Sequence, residues 1–393
     1  RPYRFYKYLK KLGYPCLVIT AAKQADGADP GIIHVPDECD AFWAGHIERP
    51  LTIQAHIERL IRMLILPGGT GIVWARSVAK VFRELVKQTG NGKVVLLSTF
   101  PPIGTHLAAL QAARDKRICW IADFRDPFLS GSDLSGRSSV ARWFCRRLEE
   151  RMFHRADVVI ANTGAIKAAW LRRYPFVKEK LRVLWNGFDP ERRPKALPLP
   201  ARSAKVMIHA GTLYSGRNAN CLIAALRRLR LCHAAECEAL RLVLVGIVAQ
   251  NAGLDEASYD AAIREGWLEM PNSQVSRSEA ELILSQADWL LLLQPQSQMQ
   301  VPAKLFEYIC IGRPILAVIP KDSAIEWILE RSGIPYICLY PDDAPAEADR
   351  KLIRFLRFSS DPCEPSEWFL QNFDAERQTA QLCSIIEGNG DGF

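Results

Sequence analysis

The segment Val301-Pro302-Ala303-Lys304-Leu305-Phe306-Glu307-Tyr308 holds the residues of this chain best spaced for chemistry. Pro302 suits the opening of a helix, Glu307 lies one turn further in, and Gly312-Arg313-Pro314 stops the helix before the apolar run that starts at Ile315. Helix, turn and buried strand in that order are how a parallel α/β sheet presents a helix N-terminus to an anion. The N–H groups around Pro302, Ala303, Lys304 and Leu305 carry the positive end of the helix dipole, and the Glu307 carboxylate can accept two hydrogen bonds from a vicinal diol. A nucleotide diphosphate beside its ribose matches both groups.

The elements that must hold these residues alternate along the chain, the pattern of parallel sheets wrapped by helices. A first series of strands is predicted at 17–20, 94–98, 118–123, 158–161 and 181–185, with helices at 78–88, 105–114 and 165–174 between them. After Asn186-Gly187 comes a stretch rich in Pro and Arg, 190–200, read as an interdomain linker. A second series follows, with strands at 206–210, 242–245, 289–293, 315–318 and 336–339 and helices at 220–230, 278–286, 304–311 and 325–331. A last helix is expected over 365–386, crossing back onto the first domain. The expectation is therefore two Rossmann-like α/β domains, 1–195 with 366–387 packed back on it, and 201–365, facing one cleft at the carboxyl ends of their strands. Residues 1–11 already read as a helix, so the first domain is expected to lack its N-terminal strand.

Bulk properties agree with two globular domains: 393 residues exceed one ordinary core, and the chain is 49% hydrophobic and 24% charged without a low-complexity tract. Apolar runs such as 289–293 and 315–319 have strand length, far below the roughly 18 residues of a membrane span, and neither a transmembrane helix nor a signal peptide is expected. Eleven scattered cysteines without a Cys-x-x-Cys pair point to reduced thiols in a cytoplasmic protein, and the small cluster Cys232, His233 and Cys237 reads as a helical satellite rather than a zinc site. The net charge of +8 is uneven. Over 137–155, Arg142, Arg146, Arg147 and Arg151 interleave with Trp143, Phe144, Met152 and Phe153. On a helix this is either a packing helix with solvated arginines or one suited to an anionic membrane surface. Nucleic acid is not expected as a partner, since no recognised binding motif accompanies the charge.

Several motifs together resemble the family 4 glycosyltransferases of the GT-B fold, in particular bacterial enzymes that build cell-surface polysaccharides. They are Leu97-Ser98-Thr99-Phe100-Pro101-Pro102, Ile121-Ala122-Asp123-Phe124-Arg125-Asp126-Pro127, Trp185-Asn186-Gly187-Phe188-Asp189, and His209-Ala210-Gly211-Thr212-Leu213-Tyr214-Ser215-Gly216-Arg217, beside the 301–308 segment. The similarity runs through nearly the whole chain. It implies a hexosyltransferase that moves a sugar from a nucleotide diphosphate donor to a glycan or polyprenyl-linked acceptor, with retention of anomeric configuration. No cofactor or metal is expected, and possible membrane contact places it at the inner face of the membrane. A nucleotide-sugar epimerase of the same fold and a non-catalytic binding or scaffold protein are the alternatives.

The resemblance also assigns residues. Gly211, Thr212 and Gly216 fall in the phosphate-binding turn, where glycine lets backbone approach phosphate, with Arg217 and Lys304 adding positive charge and Glu307 holding the ribose. The family often carries two glutamates eight positions apart, and the first falls here on Met299. Its familiar histidine is replaced by Arg125, so Asp123, Arg125 and Asp126 become the polar groups of the reacting centre, with a purely structural Asp-Arg-Asp clamp as the rival. His106 reads as a helix cap or packed side chain that can also point at the site.

Overall fold

The computed structural model describes residues 1–21, 29–37, 53, 57, 60–61, 71–129, 138–233, 237 and 239–388. They form two compact units, one of Arg1–Trp185 with Gln378–Phe393 and one of Asn186–Arg377.

The first unit runs α1 (Pro2–Lys11), β1 (Val18–Thr20), β2 (Ile32–His34), α2 (Ile72–Gln88), β3 (Val94–Phe100), α3 (Ile103–Ala112), β4 (Ile118–Phe124), α4 (Ser139–Arg155), β5 (Val158–Ala161), α5 (Gly164–Arg173) and β6 (Leu181–Val183). Strands β3, β4, β5 and β6 make one parallel sheet in chain order, and β1 and β2 pair separately. Six of the seven β4 residues are buried, as expected of a strand covered by helices on both faces. Phe5, Ile121, Ile160, Leu184 and Leu382 pack together, which ties α1 and the C-terminal helix to this sheet. The β3–β4 register sets Thr99 against Asp123, so the polar residues of two strands meet at one carboxyl end.

The second unit runs β7 (Lys205–Ala210), α6 (Asn220–Cys232), β8 (Leu240–Val245), α7 (Glu256–Arg264), β9 (Leu268–Glu269), α8 (Arg277–Ser285), β10 (Trp289–Leu293), α9 (Ala303–Ile311), β11 (Ile315–Val318), α10 (Ala324–Leu329), β12 (Tyr336–Leu339), α11 (Pro345–Leu356) and α12 (Glu367–Phe373), and it holds the first three residues of α13 (Ala375–Ile386), which belongs to the first unit from Gln378 on. Its parallel strands lie in the order β12, β11, β10, β7, β8, β9. Every residue of β10 and β11 is buried, because their Leu, Ile and Val runs have helices on both sides. Chain order reverses between β7 and β10, and the carboxyl ends of such a pair open the crevice where doubly wound sheets bind ligands.

Two expectations change. The stretch 190–200 is no free linker but part of the second unit: Leu197 N donates to Ser285 O at 2.9 Å, Leu197 O accepts from Arg313 at 2.8 Å, and Arg193 pairs with Glu364 at 2.5 Å. The last helix is not continuous either. Asp374 is extended and its carboxylate accepts from Glu376 N at 2.7 Å and Arg377 N at 3.2 Å, so it caps a new helix, as aspartate is apt to do. Cys232 is exposed and Cys237 buried, and the described residues contain no group of three His, Cys, Asp or Glu fit to hold a metal. No helix among the described residues is long and apolar enough to cross a membrane.

Helix α4 starts at Ser138, whose hydroxyl accepts from Ala141 N at 3.2 Å; Arg137 lies outside the described residues. Its inward face carries Ala141, Cys145, Glu149, Met152 and Phe153. Glu149 is fully buried, and the Tyr174 hydroxyl faces it without reaching hydrogen-bond geometry. Burial pushes the Glu149 carboxyl up to about 7, against the opposing pull of Tyr174, Arg173 and Arg146. A folded-state pKa above the unfolded value means full stability below about pH 4.5, lost as pH rises through 7. Glu149→Gln removes that loss, at most about 3 kcal/mol at high pH. Thermal melts should show the variant gaining on the wild type progressively between about pH 4.5 and 7 and keeping that gain above; a pH-independent difference refutes the assignment.

Candidate active site

In the second unit, β7 ends at Ala210 and the chain turns at Gly211 over the end of the sheet. A Cβ on Gly211 would stand 1.6 Å from Lys304 Nζ, so only glycine lets the lysine of α9 lie back across this turn. Gly246, after β8, is needed for the same reason one strand over: its Cβ would meet Gly211 O at 2.5 Å. Gly216 takes a left-handed φ of +75° and its carbonyl accepts from Gln296 Nε2 at 3.3 Å. Thr212 is exposed beside the turn. Arg217 extends its guanidinium over the Tyr214 ring at 4.7 Å and donates to Gln294 Oε1. Gln294 is buried at the end of β10 and passes a longer contact of 3.4 Å to Gln300.

Helix α9 opens at Pro302 with no side chain capping it. Leu305 is buried and its N–H is used by Pro302 O at 3.1 Å, which leaves the N–H groups of Ala303 and Lys304 at the open end. Glu307, one turn in, is held by Arg277 at 2.8 Å. Burial depresses the Lys304 ammonium to about 8, Arg217 presses the same way, and Glu307 opposes both. His209 is buried beside it, with Nδ1 2.9 Å from Leu291 O. Burial and Lys304 lower its imidazole to about 3, so it is neutral and donates from Nδ1, leaving Nε2 bare. Two neighbouring cations, an uncapped helix start and a neutral histidine make a site that gains by binding a multiply charged anion. A diphosphate leaving a sugar is such an anion, and its charge grows as the bond breaks.

In the first unit the three polar residues at the end of β4 are placed differently. Asp123 is 1% exposed and sits 2.9 Å from the Arg1 guanidinium, an ion pair off the line of a hydrogen bond, with Thr99 Oγ1 donating to its other oxygen at 3.0 Å. Arg1 also donates to Asn162 Oδ1, whose amide returns to Arg125 O, each at 2.9 Å. Arg125 donates to Pro101 O, and both Arg125 and Asp126 are part-exposed. His106 is fully buried and meets Ser98 Oγ at 2.8 Å, which Trp120 Nε1 also contacts at 2.8 Å. Burial, with Arg125 assisting, lowers His106 to about 3. It is a packed side chain held by a hydroxyl.

Gln294, Gly246 and Arg277 belong to the site of the second unit without having been read from the sequence, and His209 enters there only as the start of the turn motif. Gly246 alone left a signal there, a glycine directly after the apolar run 242–245. Gln294 and Arg277 are ordinary residue types whose role is set by what β7, β10 and α8 bring together.

The Glycosyltransferase Family 4 sequence model matches residues 2–192. A search of curated proteins finds no match. Among solved structures the chain is similar to WaaG, a glycosyltransferase involved in lipopolysaccharide biosynthesis, at 16% identity over 99% of this chain and 93% of that one, with a TM-score of 0.55. It is also similar to apo OtsA, at 12% identity over 98% and 95% with a TM-score of 0.64. A third is Alr3699/HepE of Anabaena in complex with UDP and glucose, at 17% identity over 82% and 84% with a TM-score of 0.55.

The depressed Lys304 ammonium is directly measurable. Reductive methylation with carbon-13 and an NMR titration should show one lysine titrating near 8, absent from Lys304→Met. If every lysine titrates above about 10, the ammonium is solvated and the desolvation argument fails.

Proposed function

From a chain with the GT-B fold of glycosyltransferases, whose first domain matches the Glycosyltransferase Family 4 model, we propose a hexosyltransferase that takes its sugar from a nucleotide diphosphate donor. The observation that carries this is Lys304 lying across Gly211 at the open end of α9 with the charge of Arg217 beside it and Glu307 one turn further in. The diphosphate lies against Gly211, Thr212, Gly216 and the N–H groups of Ala303 and Lys304, and the ribose hydroxyls meet Glu307. The helix dipole and the two cations neutralise the leaving group, so the reading calls for no metal.

The acceptor is a glycan or polyprenyl-linked saccharide of cell-surface polysaccharide synthesis, handled in the cytoplasm at the inner face of the membrane. Cysteines outside any disulfide, such as Cys310 and Cys338, suit that compartment. Transfer proceeds with retention: the bond from anomeric carbon to diphosphate oxygen breaks, the acceptor oxygen bonds to that carbon, and its proton passes to the leaving diphosphate. Such a route needs no buried carboxylate as base. Arg125 and Asp126, part-exposed, orient the acceptor, while Asp123, paired with Arg1, holds their loop.

Calorimetric titration with UDP, GDP and dTDP tests the reading. One nucleotide should bind, and Glu307→Ala should weaken it about tenfold or more, the value of two charge-assisted hydrogen bonds in a part-buried site. Binding of the nucleotide unaltered by Glu307→Ala would sink the ribose assignment; binding of none would sink the donor site.

A further inference from the structure

We propose that the outward face of α4, with the turn that follows α5, is a docking surface for an anionic lipid bilayer. The sequence left two readings of this helix, and they differ in where its apolar residues point. A packing helix buries them all and shows water only its arginines. The helix instead divides them: Met152 and Phe153 are in the core, whereas Val140 is 74%, Trp143 60% and Phe144 42% exposed. These three stand among Arg142, Arg146, Arg147 and Arg151, all exposed. The outward carboxylate of the helix, Glu150, is already paired with Arg147 at 3.1 Å.

The surface continues onto a second element. Phe176, 42% exposed, stacks on His154 at 4.0 Å, and Lys180 Nζ bonds Ala156 O at 2.8 Å, so the turn Pro175–Lys180 abuts the end of α4. Arg173, Lys178 and Lys180 extend the positive charge there, against Glu179. Large apolar side chains and arginines interleaved on one solvent face are costly to leave in water, and each class has a place at a bilayer surface: rings at the headgroup level, guanidinium groups on lipid phosphates, with their apolar stems along the boundary. Nucleic acid would use the cations and rings but has no use for Val140 at the start of the helix. The inference deepens the lipid-linked acceptor reading and rests on it, since such an acceptor never leaves the bilayer.

Flotation with vesicles of phosphatidylcholine, with and without phosphatidylglycerol, tests it on the full chain without sugar nucleotide. The protein should float with the phosphatidylglycerol vesicles, less so at high salt, and not with phosphatidylcholine alone. Arg142→Gln with Arg151→Gln should weaken this about thirtyfold, and Val140→Ser with Trp143→Ser should remove the association that survives salt. All four positions are exposed, so melts and affinity for whichever of UDP, GDP and dTDP binds should stay at wild-type values in both variants. Flotation that ignores lipid charge, its absence, or variants that bind like the wild type overturn the proposal; tighter capture of single-stranded RNA than of vesicles reassigns the surface to nucleic acid. Loss of flotation with nucleotide binding intact refutes this surface alone, and flotation without binding of UDP, GDP or dTDP refutes the donor site alone.

Discussion

Two cations share a partly desolvated space in the second unit, and much of that unit is arranged so that they can. Lys304 and Arg217 repel each other, and burial weakens the ammonium further. The repulsion is tolerated because the fold fixes each from elsewhere: Gln294 at the end of β10 takes the guanidinium, and glycine at 211 clears the space that the lysine crosses. The strand order supplies the rest, since β7 and β10 are neighbours in the sheet although 78 residues separate their last and first residues, Ala210 and Trp289, with β8 and β9 between them in sequence. A site assembled this way is strained when empty and relaxed by an anion, which is what a binding site for a leaving group requires.

The first unit treats charge in the opposite manner. Asp123, as buried as any core residue, is met by Arg1 and Thr99, and Asn162 ties Arg1 to the backbone of Arg125. A carboxylate so held stabilises a loop but is poorly placed to take a proton from a substrate, for removing either partner would strand a charge in the interior. The two units differ accordingly: neighbouring cations in one, a buried carboxylate set against its own cation in the other.

How much of this was legible depended on whether the signal was local. Strands β10 and β11 and helix α9 are written in contiguous apolar runs, a proline and a glycine, and they stand where the sequence put them to within a residue or two. Lys304 and Glu307 follow from that helix. The break at Asp374 was missed because a single cap competes with a long helical pattern, and the docking of 190–200 because proline-rich composition says turn but not what the turn touches. Gln294 and Arg277 are partners across 77 and 30 residues, and no spacing rule links a residue to another strand or helix before the sheet order is known. The two readings of α4 could not be separated either, because interleaved Arg and aromatic residues have the same period whichever side faces the core.

Met299 shows how one side chain shifts the balance of such a site. A glutamate there would set a carboxylate close to the diphosphate, holding a sugar hydroxyl while repelling the phosphate charge. With methionine in its place, the field from Lys304 and Arg217 would act on the proposed diphosphate with one opposing charge fewer. The same change removes a charged acceptor for the sugar, whose hydroxyls are left to neutral groups that discriminate less strongly. Under the proposed donor reading, this exchange would favour hold on the leaving group over selection of the sugar, and sugar recognition would pass to the backbone around Gln300 and Val301.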